Sequence, residues 1–277
     1  MLMTEKKPPT RRWAILNWAT LMAGLIWLAS GPEALSQTPE GGVGGEQASD
    51  VPVEVEVLEP QPRSSIDPLE LYPDGLEFDV YRKGSWVGRH KVKFEKDGDL
   101  LKVESHFKLK VKVLFVTAYK YEFHADGVWK DGVLQSVKAE INDNGKESSV
   151  DAYLDESGQF YSMGRKGTFV ANNPIYPTNH WNVGAIESDV VLDTLNGKII
   201  KVDILRQGIE AIETRKNGHV DAERFEYTGE LKDVIVWYDV DGRWVGMEFT
   251  TNKGETLTYV CRKCGLPDTQ EQLSAAR

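Results

Sequence analysis

The chain of 277 residues carries 43 acidic against 33 basic side chains, a formal charge of −10. That balance excludes a general nucleic-acid binder, which needs surplus cations to displace counterions from phosphate. Hydrophobic residues at 40% and aromatics at 10% suffice for one substantial core, whereas two cysteines cannot staple a multi-bridge scaffold.

In chain order, residues 1–36 come first. Lys6, Lys7, Arg11 and Arg12 precede an apolar run over 13–29, broken only by Asn17 and Thr20. Gly31-Pro32 ends any helix there, and Ala34-Leu35-Ser36 offers the small residues of a signal-peptidase site before Gln37. This pattern predicts a cleaved signal peptide and a periplasmic or secreted product. An uncleaved anchor is the alternative, with a run at the short end of what spans a bilayer. Residues 37–70, rich in Gly, Pro, Glu and Ser, read as a flexible linker, with Val51–Val57 alternating briefly as a candidate edge strand.

From 71 to 264 the pattern is β. Short alternating runs are separated by turn pairs: Lys83-Gly84, Asp97-Gly98, Asp126-Gly127, Asp131-Gly132, Asn144-Gly145, Ser157-Gly158, Asn196-Gly197, Asn217-Gly218 and Asp241-Gly242. Asx-Gly pairs suit type I′ hairpins, whose two central residues both need positive φ. The spacing predicts an all-β fold: an antiparallel meander of about twelve strands, closing into a barrel or β-roll because that removes unpaired edges. At most one short helix is expected, within 179–192, and 265–277 form a C-terminal tail.

Between 101 and 125, odd positions run Leu101, Val103, Ser105, Phe107, Leu109, Val111, while even ones run Lys102, Glu104, His106, Lys108, Lys110, Lys112. One face is therefore buried and the other wet. A single strand of that length would reach roughly 80 Å, so the chain must bend or reverse near Val113–Val116. A reversal centred on Phe115 sets His106 directly opposite His124. Two imidazoles make an incomplete metal site, and the neighbouring lysines oppose a cation, so no metal is expected. The lysine row reads as a solvated face, with contact to an anionic surface as the alternative.

Phe78-Asp79-Val80, Gly88 to Phe94, Tyr119 to Glu122, Asn142 to Lys146, His180-Trp181-Asn182, Leu192 to Gly197, Trp237-Tyr238-Asp239 and Gly242 to Gly246 occur in one order. In these segments the chain resembles an uncharacterised family of exported bacterial β-rich proteins over roughly 76–260. The resemblance implies a secreted antiparallel β domain; it implies no reaction, ligand or catalytic residue.

Three sets of residues could carry chemistry. Cys261-Arg262-Lys263-Cys264 follows a predicted strand and reads as a local disulfide in an oxidising compartment, with a redox pair or a zinc knuckle as alternatives. His180, Trp181 and Asn182 follow Pro174 and Pro177 in a non-repetitive stretch, the usual place for binding residues. Phe115, Tyr119, Tyr121 and Phe123 would line an apolar cavity if the barrel is hollow. The whole predicts a non-enzymatic exported protein, without cofactor, that binds an apolar, lipid-like molecule or a cell-envelope protein, with only peripheral membrane contact. A periplasmic enzyme using the His180 loop or the cysteine pair, and a structural or assembly factor, are the alternatives.

Overall fold

A computed structural model describes residues 67–267, apart from 114–115, 173 and 252–253. The expected signal peptide, the linker to residue 66, the Val51–Val57 strand, Phe115 and most of the tail lie outside the described residues.

A single helical turn, α1 (Pro68–Leu71), straddles the boundary expected at 70/71, with Asp67 capping it through Leu69 N–H. Strands then follow by tight turns: β1 (Leu76–Arg82), β2 (Ser85–Asp97), β3 (Leu100–Val113), β4 (Val116–Lys130), β5 (Val133–Asp143), β6 (Lys146–Leu154), β7 (Gln159–Gly164) and β8 (Gly167–Asn172). The short β9 (Tyr176–Pro177) and β10 (Val190–Leu192) are parallel to each other and flank a 3₁₀ turn at Val183–Glu187, inside the stretch where a short helix was expected. The chain returns through β11 (Ile199–Thr214), β12 (Gly218–Gly229), β13 (Val234–Tyr238), β14 (Trp244–Thr250) and β15 (Thr256–Lys263).

Among the described residues, fifteen strands form one sheet, ordered β8-β7-β6-β5-β4-β3-β2-β1-β15-β14-β13-β12-β11-β10-β9. Two meanders are thus joined where β15 pairs with β1. Lys83-Gly84, Asp131-Gly132 and Asn144-Gly145 adopt positive φ at both residues, as type I′ turns require. Asp126-Gly127 departs from expectation and lies inside β4, paired to β3 and β5, because uninterrupted ladders on both sides outweigh a local turn preference. The reversal within 101–125 occurs between β3 and β4. Pairs from Leu100↔Lys130 to Val111↔Tyr119 are centred on position 115, and a bulge after Val111 shifts only the last two pairs.

The sheet curls until its opposite ends approach. Ser162 Oγ of β7 donates to the Gly197 carbonyl, 2.9 Å away, in the loop before β11, and Gly164 lies directly against Asn196. The end strands of the sheet, β8 and β9, are not hydrogen-bonded as neighbours, so the result is a roll with a seam rather than a continuous barrel. Inside it, side chains from both meanders interlock: Trp244 sits 4.3 Å (ring centroids) from Phe78, and Phe94 and Trp129 each lie 5.2 Å from Trp181. Phe94 is half-buried, and each of the others, fully buried, contributes roughly 1.5–3 kcal/mol of transfer free energy.

Gly164 has ordinary φ, but a Cβ there would lie 2.4 Å from the Asn196 carbonyl oxygen, which belongs to backbone and cannot swing away. Gly164→Ala should therefore prise the seam apart and cost about 1–3 kcal/mol in urea unfolding. Unchanged stability would show that the seam does not hold the roll together.

Candidate functional site

The His180 loop is an interior plug. The chain leaves β9, turns inward with His180 at φ 55°, and places His180 and Trp181 in the core, 5% and 2% exposed. Its backbone is held by tyrosines: Tyr238 OH donates to the His180 carbonyl at 2.9 Å, and Tyr72 OH to the Trp181 carbonyl at 3.2 Å. Tyr72 OH also accepts from Trp244 N–H at 2.8 Å, tying α1, the plug and β14 together. Asn182 Oδ1 accepts from Gly184 N–H and so caps the 3₁₀ turn. The loop expected to carry binding residues is thus packed into the core, its imidazole walled in by Tyr227 and Trp244.

A second buried imidazole lies nearby. His90 of β2 shares a 2.7 Å hydrogen bond between Nε2 and Ser105 Oγ, and its ring packs against Phe107, Trp244 and Tyr259. Sequence reasoning missed it because His90 looks like one more polar residue in Arg89-His90-Lys91; only strand parity marks it as inward. Five buried side-chain atoms, His90 Nδ1, His180 Nδ1, Trp181 Nε1, Tyr227 OH and Arg243 Nε, have no hydrogen-bond partner among the described residues. Burial pushes His90 down to about 3, helped by His180 and His106, and burial pushes His180 down to about 4. Both are therefore neutral at pH 7 and sealed from substrate, which suits core packing better than proton transfer.

The expected ligand residues among those described fall on two elements, β4 and the plug. Tyr119, Tyr121 and Phe123 share the inner face of β4, but Phe123 packs opposite Phe107, and Tyr121 lies 5.8 Å from that ring. Tyr119 OH donates to Asp143 Oδ1 at 2.7 Å, and burial raises the Tyr121 phenol to about 12. The plug residues instead meet Phe94, Trp129 and Tyr227.

On the outer face, His106 does stand opposite His124, with ring centroids 5.6 Å apart. His124 Nε2 lies 3.2 Å from Asp126, while burial, Lys108 and His124 lower the His106 pKa. Among the described residues, no group of three or more His, Cys, Asp or Glu is placed to hold a metal ion. Cys261 and Cys264 are joined in a disulfide, both buried, with Cα atoms 6.1 Å apart. The intervening Arg262 points outward to Glu77 at 3.2 Å and Asp79 at 3.6 Å, so its charge is spent on carboxylates.

Concavity is found at the seam. Between the end of β8 and the β9–β10 segment lies a cleft of about 580 Å³. Ala171, Pro174, Tyr176 and Val190 provide apolar walls, and Glu187, Ser188 and Asp189 form a polar rim. Glu187 and Asp189 are exposed, and no cation pairs with either among the described residues. Burial, then the Glu187 charge, raises the Tyr176 phenol pKa. The only sequence signal for this cleft was the loss of β alternation after Pro174.

The two sealed imidazoles carry a pH prediction. Unfolded histidines take a proton near pH 6.5, so stability is full above that value and falls as pH drops toward the folded values. Urea titrations from pH 7 to 4 should lose on the order of 3 kcal/mol per histidine, and His90→Gln should make the decline shallower. An identical decline in that variant would mean that His90 is not the buried neutral base described.

Comparison with known proteins agrees with this geometry. A solved β-barrel-like protein from Brucella abortus, itself from a domain-of-unknown-function family (DUF1849), superposes with a TM-score of 0.51 at 13% identity, covering 72% of this chain and 99% of that one. At that identity the likeness shows the fold alone. No curated protein matches. Residues 78–262 match the model of a domain of unknown function, DUF6134, and the chain belongs to that family.

Proposed function

We propose that the chain is an exported, non-enzymatic binding protein that takes an apolar, lipid-like ligand in the seam cleft. The observation that carries this reading is the cleft itself. Its volume of about 580 Å³ falls among those of small-molecule sites, and its walls are apolar with a few polar groups at the rim. The aromatic interior supports the same choice, because interlocked rings leave the ligand to bind between strands rather than along the axis. An enzyme built on His180 is disfavoured by the burial of that imidazole, and a redox role by the buried, closed disulfide. The same gap would also admit an extended segment of an envelope protein, since β8 and β9 end the sheet with edges unpaired among the described residues.

Lipid extraction and mass spectrometry of gently purified protein should recover a bound lipid, and cis-parinaric acid should bind. Ala171→Trp, which introduces an indole at a half-buried wall position, should weaken that binding about tenfold or more without lowering the unfolding midpoint. A lipid-free preparation that also fails to bind the probe would defeat the lipid reading. Equal binding by the variant would move the ligand away from the cleft.

A further inference from the structure

We infer that the outward face of β3 and β4, at the end where the two strands join, is a docking surface for an anionic phospholipid bilayer. Strand register places Lys110 directly opposite Lys120. Lys108 and Lys112 continue the same face of β3, and all four are exposed. Like charges directly opposite one another destabilise an antiparallel pair, so this arrangement works against the fold. It occurs on a chain whose overall charge is −10.

Local compensation is incomplete. Glu122 serves two of the lysines, at 3.2 Å from Lys120 Nζ and 3.8 Å from Lys108 Nζ. No carboxylate pairs with Lys110 or Lys112 among the described residues. Arg89 stands opposite Lys108 and extends the cationic face onto β2, although its own charge is shared with Glu77 and Asp79. At the same end of the sheet, Trp86 is 55% exposed, with its indole N–H donating to Asp79 Oδ1 at 3.1 Å.

The chemistry of these groups selects the partner. Lysines are hydrated point charges without the fork that grips a single phosphate, and they are spread here over a sheet face rather than gathered into a pocket. Such a row meets a surface of many anionic headgroups, each lysine near it contributing about 1 kcal/mol. An exposed indole fits the same setting, since its amphipathic ring sits at headgroup level. The surface is separate from the seam cleft and does not depend on it.

The test is flotation of the full chain with vesicles of equimolar phosphatidylglycerol and phosphatidylcholine, compared with phosphatidylcholine alone. The apolar run over 13–29 contributes to every variant, so the difference between vesicle types is the readout. Anionic vesicles should bind about tenfold more protein at low salt, and the excess should disappear near about 0.5 M salt. Lys110→Glu/Lys112→Glu should remove the excess while leaving neutral-vesicle binding and the unfolding midpoint unchanged. Lys130→Glu/Lys138→Glu, an equal charge change outside the patch, should retain it. Equal binding to both vesicles, an equal loss in the second double variant, or displacement by millimolar glycerol phosphate would each overturn the inference, the last by indicating a site for soluble phosphate.

Discussion

The rest of the structure depends on the packing of aromatic rings inside a sheet that curls without closing its ladder. Trp244 contacts Phe78, His90, His180 and Tyr259, which reach it from β1, β2, the plug and β15. A fifteen-stranded ribbon has no reason to curl from hydrogen bonding alone, since each ladder is satisfied locally. Burial of the inner face provides that reason, because only curling removes so much aromatic surface from water. The Ser162–Gly197 bond then ties β7 to the loop before β11, which lies near the opposite end of the sheet.

That organisation explains the behaviour of the plug. Since the ladder does not close, the segment between β9 and β10 can fold inward and fill space that a closed barrel would leave to its strands. Buried backbone carbonyls then need donors, and Tyr72 and Tyr238 supply them. The imidazoles of His90 and His180 are carried along as ring-shaped filling, at the expense of polar atoms without partners.

The outer surface follows different rules. Over β1, β2 and β15, carboxylates and cations neutralise one another: Asp79 is approached by Arg89, Arg215 and Arg262, and Glu77 by Arg89, Lys91 and Arg262. On β3 and β4 the lysines outnumber their acidic neighbour near the hairpin end. The contrast between balanced and unbalanced regions of one sheet is what sets the second region apart.

Much of this was legible in the order of residues. Alternation over 101–125 specified inner and outer faces, because side chains on a strand alternate strictly, and it placed His106 opposite His124. Glycine after Lys83, Asp131 and Asn144 marked hairpins, because positive φ is costly for most other residues. The cysteine spacing allowed the disulfide that formed. Other features belong to tertiary structure alone. Asp126-Gly127 stayed within a strand because ladders on both sides held it there. His180 became core because tyrosines distant in sequence receive its loop, and the cleft lies where β8 and the β9–β10 segment, consecutive in the chain, take opposite ends of the sheet. Local sequence dictates which way each side chain points; where remote strands meet is decided by the burial of all inner faces together.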